Sequence, residues 1–308
     1  MNTTRPCGCK GVRTCLKCEE DFNIEKASLH TQLQELHAYS FCPACERLFE
    51  AWNPFEVRAK HPEHNGEEGL PFPGMYVREQ FISASEGELL MESLDALPWT
   101  TSQSGRRKQN FGPKTNFRQR KLRNGNFNGF PEGTRFVQER LRQVSLLSDF
   151  QTIEQCSLEY ESSKGASIDP HVDDCWVWGE RVVTLNCLGD AVLTLTAFDA
   201  SAKPTKYNLN LVKNYEKQLI LPLYNKEEFQ HFDKKVIRVP MPNLSLIVMY
   251  GPPRYQFEHS VLREDIKERR VCIAYREFTP MYIEGEDKIK GFEVTKNAQN
   301  FWTDINVD

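Results

Sequence analysis

Residues 270–276 read Arg-Val-Cys-Ile-Ala-Tyr-Arg, and few elements can accommodate that order of side chains. In a strand, alternate residues share a face. One face of this segment would then carry Val271, Ile273 and Tyr275, which belong in a core. The other would carry Arg270, Cys272, Ala274 and Arg276. Two guanidiniums among small residues call for a cavity holding an anion, because a buried arginine needs a partner and a dicarboxylate supplies a bidentate one. The segment therefore predicts a strand with one face in the core and the other lining a cavity that holds an anion, a solvent-facing edge strand being the alternative.

The rest of the chain supports that architecture. Strands are expected at 155–160, 181–187, 191–198, 206–212, 217–223, 235–239, 244–250 and 270–278, each rich in β-branched or aromatic residues. Two helices precede most of them. Ser83 and Glu86 form a capping box ahead of the stripe Leu89, Leu90, Met91, Leu94 and Leu97, and Pro98 stops that helix. A second helix is expected from about 134 to 147. Many strands with few helices between them predict a mainly β fold, a double-sheet jelly roll (double-stranded β-helix) with flanking helices. The organisation reads as a cysteine-rich module at 1–50, a Pro-, Gly-, His- and Glu-rich linker at 51–74, a catalytic domain at 75–280 and a C-terminal extension at 281–308.

A metal site is expected on the strands. His171 and Asp173 lie two apart and would share a strand face. His259 follows the apolar strand 244–250, eleven residues before Arg270. Two histidines and one carboxylate form the facial triad that holds Fe(II) and leaves positions open for a chelating co-substrate and oxygen.

These features resemble the AlkB-type dioxygenases. The resemblance runs through His171-x-Asp173, the run Arg254-Tyr-Gln-Phe-Glu-His259 and the strand from Arg270 to Arg276. It extends to one branch of that family through Cys7 to Cys18, Ser102 to Gln109, Ile168 to Asp174 and Trp176 to Arg181. It implies Fe(II) on His171, Asp173 and His259, with 2-oxoglutarate as co-substrate. Arg270 would pair with the far carboxylate of 2-oxoglutarate, Arg276 would lie near the active site, and Tyr160 would contact the co-substrate. Cys272, Ala274 and Leu158 stand where the family commonly has polar residues, so some co-substrate hydrogen bonds would come from elsewhere. The implied activity is oxidative N-demethylation. The implied substrate is a methylated lysine on a protein of the actin type, with N6-methyladenine in DNA as the alternative and an inactive scaffold the least favoured reading.

Charge bears on the substrate. From Thr101 to Gly125 there is no acidic residue, and Arg106, Arg107, Lys108, Lys114, Arg118, Arg120, Lys121 and Arg123 give the segment eight positive charges. The net charge of −4 thus becomes −12 once the loop's eight positive charges are set aside. Phe111 and Phe117 interleave with the cations, a pattern suited to a nucleic-acid backbone with base stacking. An acidic protein surface would be attracted by the same field. In AlkB-type enzymes this region is a lid, so Arg106, Arg107, Lys108 and Phe111, together with Trp176, are candidate substrate contacts. The acidic remainder would repel a polyanion elsewhere, which favours the protein substrate.

Six of the ten cysteines fall before residue 46. Cys15-x-x-Cys18 and Cys42-x-x-Cys45 have the spacing of two zinc-ribbon knuckles, whereas the resemblance emphasises Cys7, Cys9, Cys15 and Cys18. Either quartet predicts a closed structural zinc site. His30 and His37, seven apart in an expected helix 24–38, read as surface residues. The first ten residues have no apolar core of the signal-peptide kind, and no apolar run is long enough to span a bilayer. The expectation is an intracellular protein, cytoplasmic and nuclear, whose cysteines are thiols or metal ligands.

Overall fold

The computed structural model describes residues 5–64, 68–201 and 203–303. Parts of the expected linker (65–67) and C-terminal extension (304–308) lie outside them, as do Met1 to Thr4. The early strands are β1 (His37–Cys42), β2 (Arg47–Glu50), β3 (Leu70–Pro71), β4 (Met75–Arg78), β5 (Thr100–Thr101) and β6 (Arg107–Phe111). A hairpin of β7 (Lys114–Asn116) and β8 (Lys121–Arg123) follows, then β9 (Phe130–Pro131). The remainder are β10 (Glu154–Tyr160), β11 (Ile168–His171), β12 (Trp178–Leu188), β13 (Ala191–Ala197), β14 (Lys235–Met241), β15 (Ser245–Met249), β16 (Phe257–Val261), β17 (Arg270–Phe278) and β18 (Phe301–Trp302).

Two seven-stranded sheets face each other. One has the order β11-β16-β13-β14-β1-β2-β3, the other β4-β15-β12-β17-β10-β6-β5. From β11 to β17 the chain passes repeatedly between them, which is the winding of a jelly roll. Side-chain alternation explains the layering. Phe41, Met75, Leu195, Ile237, Val239, Ile247, Phe257 and Cys272 fill the space between the sheets. On the outer face of the second sheet, Val183, Leu185, Val248, Val271, Ile273 and Tyr275 pack against Leu90, Leu94, Val137 and Leu141 of two helices. Burial of each large apolar side chain contributes roughly 1.5–3 kcal/mol.

The first of those helices, Ala84–Asp95, begins at the expected capping box, with Ser83 Oγ accepting from Glu86 N and the Glu86 carboxylate accepting from Ser83 N. Leu89, expected in its apolar stripe, is 63% exposed because the buried stripe runs through Gly87, Leu90 and Leu94. The second helix spans Arg135–Leu141, followed by a 3-10 turn at Ser145–Leu147.

Three expectations need correction. Residues 206–212 and 217–223 are not strands; Lys206–Asn214 is 3-10 helical with a kink at Tyr207 and Asn208, and Glu216–Gln218 is a single 3-10 turn. Leu209, Val212 and Tyr215 recur every third residue and pack on Tyr255 and Cys175, a three-residue period that overrides the β-like composition. The expected helix 24–38 is confined to Leu29–Gln34, and His37 opens β1. Finally, the sheet runs across the bounds expected at residues 50 and 74: β1 lies parallel to β14, with His37 opposite Lys235 and Ser40 opposite Arg238.

Candidate active site

Adjacent strands bring the triad together. β11 pairs antiparallel with β16, and the register sets His171 directly opposite His259, with ring centroids 4.2 Å apart. Asp173 lies just beyond the end of β11, and its Oδ1 is 3.7 Å from His171 Nε2. One ligand atom from each of the three residues falls within 4.8 Å of the other two.

Neighbouring groups fix each candidate ligand. The ring of His171 is oriented through Nδ1, which is 2.9 Å from the Asp169 carbonyl oxygen. His259 is 8% exposed, and its Nδ1 has no partner among the described residues. Burial depresses the pKa of both imidazoles, and His171 depresses that of His259 further, so both are held in the neutral, ligating form. Burial alone would raise the Asp173 carboxyl. The Arg276 guanidinium, helped by the two histidines, instead holds it well below the usual carboxylate range. Arg276 donates from Nε to Asp173 Oδ2 at 3.1 Å and from Nη1 to Glu154 Oε2 at 2.7 Å. Its charge is thus committed to the ligand carboxylate and Glu154.

Arg270 occupies the same face of β17, in the space between the sheets, and is 1% exposed. Its Nε donates to Asn186 Oδ1 at 2.8 Å, and its guanidinium lies 4.7 Å from the centre of the Tyr160 ring. Nη1 is buried with no partner among the described residues. An orphaned guanidinium nitrogen in a protein interior costs far more than a satisfied one, so this geometry is poised for an anion.

The chain is 34% identical over 306 residues to the mouse α-ketoglutarate-dependent dioxygenase alkB homolog 4, covering 98% of this chain and 96% of that one. It is 35% identical over 300 residues to the human protein of the same name, covering 96% and 94%. It belongs to the AlkB-type dioxygenases. A DNA N6-methyl adenine demethylase from Caenorhabditis elegans is 27% identical over 293 residues, covering 91% of this chain and 89% of that one. No family model matches the chain.

AlkB-type enzymes use Fe(II) and 2-oxoglutarate (the α-ketoglutarate of the relatives' names), and the donors present suit both. Two neutral imidazoles and an ionised carboxylate form a facial set for iron. The unpartnered Arg270 Nη1 suits a carboxylate oxygen.

Sequence reasoning assigned no role to two supporting residues of this AlkB-type site, Arg254 of the resemblance run and Asn186. Arg254, fully buried, donates to the carbonyls of Asp173 (2.9 Å), Trp178 (3.1 Å) and Gly179 (3.2 Å), and so locks the segment that carries the ligand carboxylate. Its signal was an arginine held within the apolar run Gly251–Tyr255. Asn186 spends its Nδ2 on the carbonyls of Gly189, Met241 and Pro242, leaving Oδ1 aimed at Arg270. A lone amide within the apolar strand 181–188 was the available sign.

The candidate substrate contacts separate into groups. Arg107 is bound to Glu159, a buried carboxylate shared with Arg269, and is not free for substrate. Arg106 sits 5.9 Å from the Tyr160 ring centre, beside the interior of the site. Lys108 is exposed on β6. Phe111 packs on Trp302 at 5.7 Å, and Trp176 is buried against Tyr282 at 5.8 Å with its Nε1 unpartnered, so both belong mainly to a core cluster. Phe117, on the β7–β8 turn, meets Trp178 at 6.4 Å, and Trp178 in turn lies under Arg276 at 5.7 Å. Around Phe117, Lys114, Arg118, Arg120, Lys121 and Arg123 are exposed and form no salt bridge among the described residues.

The two cysteine quartets considered from spacing and resemblance resolve unequally. The sulfurs of Cys7, Cys9, Cys15 and Cys18 converge, with Cys15 and Cys18 3.7 Å apart. Cys42 and Cys45 lie elsewhere, so the ribbon of Cys15, Cys18, Cys42 and Cys45 is not assembled. The module docks beside the triad: Lys26 pairs with Asp169 at 3.0 Å and Glu19 with Arg263 at 2.8 Å. All ten cysteines are free of disulfides, and no helix among the described residues is long and apolar enough to cross a membrane.

Proposed function

We propose that this enzyme removes methyl groups from nitrogen oxidatively, with His171, Asp173 and His259 as the iron ligands and Arg270 as the anchor for 2-oxoglutarate. The observation that carries the reading is the convergent triad beside a buried guanidinium with an unpartnered nitrogen. Bound there, Fe(II), 2-oxoglutarate and oxygen would supply hydroxylation of a C–H bond, coupled to loss of carbon dioxide and release of succinate. An N-methyl carbon so hydroxylated leaves as formaldehyde.

The chain's own residues then have defined tasks. Asp173 accepts from Arg276 while remaining available to the metal, so the arginine sets the angle of the carboxylate. Asp169 does the same for His171 through its backbone oxygen. Arg270 would grip the co-substrate's distal carboxylate above the Tyr160 ring. Cys7, Cys9, Cys15 and Cys18 would hold a structural zinc, since a closed set of four thiolates leaves no open position.

For the substrate, we favour a methylated lysine on an acidic protein surface of the actin type, reached through the basic β7–β8 hairpin. This choice rests on the resemblance to the alkB homolog 4 relatives, and the net −12 carried outside residues 101–125 confines an anionic partner of either class to that basic segment. The named activity of the C. elegans relative favours N6-methyladenine in DNA as the second reading. Mass spectrometry of a methyl-lysine protein and a methyl-adenine DNA, each incubated with enzyme, Fe(II) and 2-oxoglutarate, decides between them. Demethylation of the protein alone is expected. Replacing Arg118, Arg120 and Lys121 together by Ala should slow that reaction chiefly through association. Turnover of DNA alone, with a binding slope against log salt that flattens in the triple variant, would reverse the assignment.

A further inference from the structure

Among the described residues, outside the triad and the first cysteine quartet, one more set of ligand atoms converges: Cys42, Cys45, His61 and His64, each offering an atom within 4.8 Å of all the others. Cys45 Sγ is 3.6 Å from Cys42 Sγ, 3.1 Å from His61 Nδ1 and 3.1 Å from His64 Nε2. A tetrahedron with zinc–sulfur bonds of about 2.3 Å and zinc–nitrogen bonds of about 2.0–2.1 Å has edges of roughly 3.8 Å between sulfurs, about 3.5 Å between sulfur and nitrogen and about 3.3 Å between nitrogens. The sulfur–sulfur separation is close to its edge, and the two sulfur–nitrogen separations are about 0.4 Å shorter than theirs, a set that a small expansion around one ion would accommodate. A single thiol hydrogen on Cys45 cannot bridge three such neighbours, whereas one cation among four lone pairs can.

The backbone is shaped for the same purpose. Cys42 ends β1, fully buried, and the chain turns through Pro43 and Ala44 to Cys45. Glu46 then adopts a left-handed conformation (φ 56°), and its N–H donates to the Cys42 carbonyl at 2.8 Å. This is a metal-knuckle turn at the tip of the β1–β2 hairpin, which aims both sulfurs to one side. The helix Pro54–Ala59 returns the chain so that His61 and His64 face them, and the Phe49 ring lies 4.1 Å from His64. Arg47 Nη1 donates to the Gly69 carbonyl at 2.9 Å, closing the loop beyond the histidines.

We infer that Cys42, Cys45, His61 and His64 bind a second structural zinc ion, which ties residues 51–64 to the edge of the sheet. Two thiolates and two imidazoles select zinc over harder divalent cations, and four protein ligands make the site closed rather than catalytic. The spacing is Cys-x2-Cys-x15-His-x2-His. It differs from that of the familiar zinc fingers because the histidines occupy a turn instead of successive turns of a helix. This site is independent of the demethylase reading and of the Cys7 quartet.

Metal analysis of the full chain tests it. Two zinc ions per chain are expected, apart from iron, and His61→Ala/His64→Ala should remove one while leaving that of the Cys7 quartet. His64→Cys, which restores a fourth ligand, should retain both and so separates lost ligation from lost folding. In the unaltered protein, peptide mapping after alkylation should show Cys45 protected until a zinc chelator is added. Equal Cys45 labelling with and without chelator, or unchanged zinc in the double histidine variant, would overturn the inference.

Discussion

Replacing Arg270 tests both the cavity and the charge logic behind it. The side chain is 1% exposed, is oriented by Asn186 Oδ1 and the Tyr160 ring, and presents one nitrogen with no partner. A bidentate grip on a carboxylate uses two charge-assisted hydrogen bonds, each worth about 1.5–3 kcal/mol. Arg270→Ala removes both, and about 3–6 kcal/mol corresponds to a rise of roughly two to four orders of magnitude in the 2-oxoglutarate KM. Arg270→Lys keeps one point donor, so the rise should be about ten- to a hundredfold. Succinate formation across a range of 2-oxoglutarate concentrations measures the effect, and calorimetric titration of the Mn(II)-loaded protein reads binding without turnover. A thermal melt of each variant controls for the lost bond to Asn186. If the KM were unchanged in both variants, the anchor would lie elsewhere and the orphaned nitrogen would have another purpose.

Further outcomes follow from the same geometry. His171→Ala or Asp173→Ala should abolish 2-oxoglutarate turnover with Fe(II) present while circular dichroism stays unchanged; near-normal turnover in either would remove that residue from the triad. Arg254→Met strands three buried carbonyls at about 1–3 kcal/mol each, so urea denaturation should show a loss of at least about 3 kcal/mol, together with reduced iron content. Retention of wild-type stability would show that the Asp173 segment does not need the lock. Chiefly through its Arg140 bond, and also by accepting from Ser83 N, Glu86 has its pKa drawn down from 4.5 to about 2. A depressed carboxylate stabilises the fold above its unfolded value, and that contribution disappears as pH falls from 4.5 towards 2. The pair is about one-third exposed, so its share is at most about 1 kcal/mol. The stability gap between wild type and Arg140→Gln should close over that pH range, and a gap independent of pH would assign the loss to packing.

How much was legible follows from the range over which each signal acts. The alternation in 270–276 depends only on strand geometry, and it correctly separated Val271, Ile273 and Tyr275 from the arginines. The convergence of His171, Asp173 and His259 could be anticipated because an iron centre restricts ligand chemistry to few residue types. Arg254, although part of the resemblance run, and Asn186 were given no role because their work is done on backbone carbonyls distant in sequence, which carry no side-chain signature. β1 was hidden for another reason. His37-Ala-Tyr-Ser-Phe-Cys42 alternates weakly, and its partner strand begins about two hundred residues later. His61 and His64 were passed over because a Pro- and Gly-rich stretch reads as linker until the metal-knuckle turn beside it is seen.

The parallel pairing of β1 with β14 also dictates an order of events at the ribosome. Strand β1 can pair with β2 early, yet its other neighbour, Lys235–Met241, is made about two hundred residues later. Until then His37–Cys42 is an open strand edge, a template for pairing with another chain. Contacts this distant in sequence also slow folding. Metal capture on the Cys42–Cys45 turn, which needs only residues up to His64, would hold the hairpin in shape through that interval. A fragment beginning at residue 75 would have the converse defect, leaving β14 exposed along the edge that β1 normally covers.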